Sequence, residues 1–342
     1  QEQPQSIEDL KLSSALSISL PSALVTAAGG SSSSSLALAN TLEGAKSSEA
    51  CRTMENTNMV LKRLDEVGSM MCHIEAESSR MKFGTKYAVT VKSPEGTQSL
   101  SIWVDNSNPS SLKLYQCKSG VLTQAITIDG YAGTGKAKGS IQATHQGTEG
   151  STTHTGGGDL TFDFTQSGVR VVKASMSDTA SGGSFSGSFR NYSELNLVEN
   201  GVNTIKMSNI GTRGSDTMND QGIVKFNGTL GQALFKGIGS SEGHTYDWTT
   251  RSTFNSSGVT VKNETATTDI VSAKTELPAA LASDFSPTAP SGWDCSGTTE
   301  SITVDMTDST AASSAAHMAC NKRDKPSFSQ CFGPSFEKGT PE

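Results

Sequence analysis

The sequence predicts a mainly β protein: a large curled antiparallel sheet, barrel or half-barrel, of about a dozen strands. A long N-terminal helix or helical hairpin is expected to pack on it. Three observations carry this expectation. Small polar residues (52 Ser, 38 Thr and 34 Gly in 342 residues) stand where apolar ones are scarce, at 34%, which suits strands with one solvated face. From about residue 83 to 275 apolar and polar residues alternate between recurring turn residues. One segment ahead of them, 36–82, has helical spacing instead.

Residues 1–35 end in Gly29-Gly30 and the run Ser31 to Ser35, and read as a flexible tether. Leu20-Pro21 argues against a single helix there. The chain opens on Gln1, as a chain relieved of a signal peptide would, and the expectation extends to a lipid anchor upstream. In 36–82, Met54, Leu61, Leu64, Val67, Met71 and Ile74 form a stripe between charged Lys62, Arg63, Asp65 and Glu66. Cys51 and Cys72 lie about 31 Å apart along a straight helix, so each would staple the segment to something else.

The β domain, 83–275, opens with Tyr87 to Val91, a turn at Ser93-Pro94-Glu95-Gly96, and Leu100 to Val104. Leu160, Phe162 and Phe164 alternate with polar residues before a turn at Gln166-Ser167-Gly168. Later turns fall at Glu199-Asn200-Gly201, Gly228 to Gln232 and Asn255 to Gly258. No helical stretch separates these strands, so the sheet is expected to be antiparallel. Residues 276–342 read as a disulfide-stapled appendage, with a strand at Ser301 to Val304 and a short helix from Asp308 to Ala319. Closing Cys295 on Cys331 would add on the order of 3–4 kcal/mol by loop entropy.

Six cysteines (Cys51, Cys72, Cys117, Cys295, Cys320 and Cys331) show no metal-type spacing and imply disulfides, with the pairing open. That places the chain in an oxidising compartment: periplasmic, outer-membrane-associated or secreted, in a bacterium. No apolar run is long enough to span a bilayer. Net charge is −7 with the acidic residues scattered, which excludes a nucleic-acid surface.

Several motifs imitate chemistry. Gly130 to Lys136 matches the phosphate-binding G-x-x-x-x-G-K, but Ala137 lacks the metal-binding hydroxyl and a strand, not a helix, follows. Gly239-Ser240-Ser241-Glu242-Gly243 matches G-x-S-x-G beside His244, yet again leads into a strand. His145 and His154 could approach across a hairpin, but two imidazoles lack a third zinc ligand. Asp216, Asn219 and Asp220 offer oxygens in what reads as an acidic loop, without the full calcium-loop spacing. No catalytic residue and no cofactor is implied.

A helix against a curled sheet resembles, at fold level alone, periplasmic lipoprotein carriers and lipocalin-like binders; no residue carries over. The resemblance implies a non-enzymatic cell-envelope binding protein for a lipid or other hydrophobic ligand. Met54, Leu61, Leu64, Met71, Phe162 and Phe164 would line its site. The alternatives are an adhesive surface protein with a packed interior, binding protein or glycan, and a hydrolase with dispersed carboxylates.

Overall fold

Alternation sends successive side chains to opposite faces of a strand, and the computed structural model realises that pattern in one sheet of fourteen strands. The structure describes residues 80–105, 111–129, 138–182, 186–227, 230–255, 260–261, 293–308 and 312–321, with 69, 72, 73, 76, 77, 287 and 310. Thirteen strands run in chain order, each antiparallel to the last. They are β1 (Thr85–Ser93), β2 (Gly96–Asp105), β3 (Ser111–Lys118), β4 (Val121–Asp129), β5 (Lys138–Glu149), β6 (Thr152–Asp163) and β7 (Val169–Ser181). The rest are β8 (Gly187–Val198), β9 (Asn203–Arg213), β10 (Asp216–Phe226), β11 (Leu230–Ser241), β12 (His244–Asn255) and β13 (Thr260–Val261). β14 (Glu300–Asp305) returns to lie parallel to β1, and helix α1 (Ala312–Asn321) follows it.

Turn chemistry sets the register. Glu242 and Gly243, both at positive φ (52° and 80°), join β11 to β12. Two left-handed residues make the tight turn whose twist matches flanking strands, and Ser241 faces His244 across it.

Burial then separates the two faces. Val104, Leu114, Ile126, Ile141, Leu160 and Ala174 stand opposite one another from β2 to β7. Val172, Leu195, Ile205 and Val224 continue the row on β7 to β10. All are at most 5% exposed, and each large one withdrawn from water stabilises by about 1.5–3 kcal/mol. On the other face Thr161, Lys173, Glu194 and Lys206 form a polar row. That face also holds a clip: Trp293 stacks on Trp103 at 5.6 Å between ring centres and packs tilted against Tyr115 at 5.4 Å. Lys86 Nζ donates to the carbonyls of Asp294 and Ser296, and the Cys117–Cys295 disulfide fastens the segment.

Several expectations are corrected. The sheet is not closed into a barrel; β13 and β14 are its two edges, and β14 occupies the side of β1 that closure would need. Nor is the sheet wholly antiparallel, since β1 and β14 pair in parallel; the residues between them permit the crossover a parallel pair needs. Cys295 bonds Cys117 rather than Cys331, and Cys72 bonds Cys320. Cys51 and Cys331 lie outside the described residues, as does the tether. Of the 36–82 helix, the described Ser69, Cys72, His73 and Ala76 are helical before a turn at Glu77; its other residues up to 79 lie outside. The tail is part of the sheet through β14, with α1 where a short helix is expected. Among the described residues no helix is long and apolar enough to cross a membrane.

Candidate functional site

Along the buried face the chemistry changes from one end of the strands to the other. On β8, Leu197 and Leu195 give way to Ser193, Asn191 and Phe189. Ser193 and Asn191 are 0% and 2% exposed and therefore need partners. Ser193 Oγ donates to Asn191 Oδ1 at 3.2 Å, and Asn191 Nδ2 donates to Asn209 Oδ1 on β9. This row marks the boundary between an apolar half and a polar half of the face.

In the polar half three strands bring His145, His154 and Asp178 together. His145 on β5 and Asp178 on β7 both lie opposite Gly156 of β6, and His154 is two residues away on the same face. Gly156 is the floor of the cluster: a Cβ there would stand 2.8 Å from His145 Cε1. Each carboxylate oxygen takes one imidazole, His145 Nε2 to Oδ1 at 3.1 Å and His154 Nδ1 to Oδ2 at 3.0 Å. Partial burial acts to raise the Asp178 carboxyl, but hydrogen bonds and charge from His154 and His145 outweigh it and hold the group below its usual range.

Openings flank the cluster. His145 lines a cavity of about 240 Å³ with Ile141, Leu160 and Met176. His154 and Asp178 line a groove of about 420 Å³ with Phe189, Arg213, Asp216 and Met218. Asp216 is fixed at the rim, where its carboxylate accepts from Ser241 Oγ and the Glu242 amide at 3.3 and 3.2 Å. The groove thus offers an aromatic ring and a thioether beside fixed hydrogen-bonding groups, the composition of a site that orients a polar ligand.

The residues singled out from sequence fare unevenly. Phe162 and Phe164 are 3% and 0% exposed, pack on each other at 5.4 Å, and belong to the core; the Arg170 guanidinium lies over the Phe164 ring. Met54, Leu61, Leu64 and Met71 lie outside the described residues. Asp216, Asn219 and Asp220 do not converge, because they sit on strand β10 rather than in a loop. Period two sends Asn219 to the opposite face and spaces the two aspartates about 13 Å apart along the strand. Among the described residues no three His, Cys, Asp or Glu groups are arranged to hold a metal. Residues 130–137 lie outside the described residues, but strand β5 follows them rather than a helix. The G-x-S-x-G stretch ends β11 and forms its turn.

Asp178 was not foreseen from the sequence, although a signal existed. It is the one charged residue in the inward series Val172, Ala174, Met176, Asp178, Ala180. The chain matches no family model, no curated protein and no solved structure.

Proposed function

We propose that this is a non-enzymatic, extracytoplasmic binding protein of the cell envelope that holds a glycan in the groove beside Asp178. The observation that carries the proposal is the composition of that groove: Phe189 and Met218 beside His154, Asp178, Arg213 and Asp216. A sugar presents an apolar C–H face to an aromatic ring and hydroxyls to charged groups, and aromatic residues with a few placed polar partners suit it. The apolar half of the face favours this reading over a lipid carrier, since its side chains are withdrawn into a core. The Cys72–Cys320 and Cys117–Cys295 disulfides support an oxidising compartment.

A glycan array followed by titration calorimetry tests the proposal. An oligosaccharide ligand is expected, and Phe189→Ala should weaken it about tenfold or more while the far-ultraviolet circular dichroism stays unchanged. No glycan binding, together with a stoichiometric lipid adduct in native mass spectrometry, would overturn it in favour of the carrier.

A further inference from the structure

The sheet is stepped at the end that carries the turn between β5 and β6. β4 pairs with β5 only as far as Gln124 and Ala143, whereas β5 and β6 stay in register to Glu149 and Thr152. Among the described residues, the stretch from Thr144 to Glu149 therefore has a strand neighbour on one side only. Nothing covers it: residues 145–150 are all exposed, and a Cβ on Gly147 would meet nothing within 4 Å.

The turn determines which backbone groups are left over. Glu149 and Thr152 flank Gly150 and Ser151, with Gly150 at a φ of 61°. Residues flanking such a two-residue turn exchange both backbone hydrogen bonds, and bonded pairs alternate along an antiparallel ladder. Odd-numbered residues of β5 thus bond to β6, while Thr144, Gln146 and Thr148 direct their amides and carbonyls to the open side. Edges of this kind are normally blunted by lysine, proline, a bulge or shortness. The β13 edge is two residues long, but Thr144 to Glu149 contains neither lysine nor proline and keeps an unbroken register.

Beside this edge lies a notch of about 870 Å³, walled by Lys118, Val121 and Thr123 of the β3–β4 hairpin and by Thr144 and Gln146. Lys118 brings a positive charge, and among the described residues no carboxylate lines the notch. Val121 is 62% exposed and adds apolar surface at the hairpin tip.

We propose that this step is a docking site for an extended segment of another protein, which joins the sheet as a strand beside β5. Its main chain pairs with Thr144, Gln146 and Thr148, an apolar side chain rests on Val121, and an acidic side chain meets Lys118. In this mode main-chain hydrogen bonds supply affinity and the side-chain contacts choose the partner. The open edge is about 20 Å long, room for about six residues of extended chain. The notch shares no lining residue with the groove beside Asp178, so glycan binding and strand docking stand or fall separately.

Short displayed peptides selected on the intact oxidised chain, then resynthesised with a fluorophore, test the site by anisotropy. Selected peptides are expected to carry an acidic residue. N-methylation of the peptide amides that face β5 should weaken binding at least tenfold, and methylation of the intervening amides should change it less than about twofold. Gln146→Pro removes one outward amide at an edge position that tolerates proline and should weaken binding as much. In the native chain the Gln146 and Thr148 amides should exchange at least tenfold more slowly once peptide is bound, which keeps the test open should the variant not fold. No selected peptide, equal losses in the two methylation series, or unchanged exchange at Gln146 and Thr148 would overturn the proposal. So would a dimer in sedimentation velocity that Gln146→Pro disperses, since the edge would then belong to a second copy of the chain.

Discussion

A methyl group on Gly156 would run into the Ser177 carbonyl and crowd the His145 ring. Gly156→Ala is therefore expected to lose about 1–3 kcal/mol of stability in urea unfolding and to draw His145 away from Asp178. Gly147, on the same hairpin, has nothing within 4 Å of a would-be Cβ, so Gly147→Ala should change stability by less than about 0.5 kcal/mol. At Asp178 the expected effect is on binding: Asp178→Asn keeps the hydrogen-bonding shape but removes the charge, and should weaken the glycan with little change in melting. What was legible at this scale followed chain proximity. His145 and His154 flank one hairpin and could be placed near each other by eye. Asp178 joins them only through the register of the next strand, which no local spacing encodes.

Among the elements, the clip over Trp103 is the most exposed to test. Its stacked rings, the Lys86 hydrogen bonds and the Cys117–Cys295 bond hold residues 293–296 together. Replacing both cysteines with serine should cost about 2–5 kcal/mol. It should also make Trp293 accessible to acrylamide quenching, measured by fluorescence against the parent. Several hairpins could be read from the sequence because their turns are local: Ser93 to Gly96, Gln166 to Gly168 and Glu199 to Gly201 each join consecutive strands. Ser301 to Val304 could be recognised as a strand for the same reason. Its parallel partner could not, because Tyr87 and Glu300 meet across most of the chain. Counting strands pointed to a barrel or half-barrel, and β14 occupies the side of β1 that closure would need.

For the molecule as a whole, pH dependence comes from a repeated turn. Asp163, Asp294 and Asp305 each accept from the hydroxyl and amide of the Thr or Ser two residues on, and those bonds hold all three carboxyls below the usual value of 3.8. A carboxyl depressed in the folded state stabilises above its unfolded value, and that contribution disappears as pH falls through the folded one. The sheet should therefore melt at lower temperature at about pH 2.5 than at about pH 5 in scanning calorimetry. An unchanged melting temperature over that interval would show that these turns do not contribute. The Cys72–Cys320 and Cys117–Cys295 disulfides join early to late parts of the chain, at sequence separations of 248 and 178. Reduction should accordingly lower the melting temperature of the entire sheet.

The pairing of β1 with β14 has a consequence in time. β1 leaves the ribosome about 200 residues before its outer partner, which at roughly 5–20 residues per second is an interval of about 10–40 s. Throughout it the nascent chain shows a row of unpaired amides and carbonyls, the template on which strands of other chains assemble. A chain stopped before residue 293 keeps that row indefinitely, and we expect it to aggregate during synthesis where the full-length chain does not.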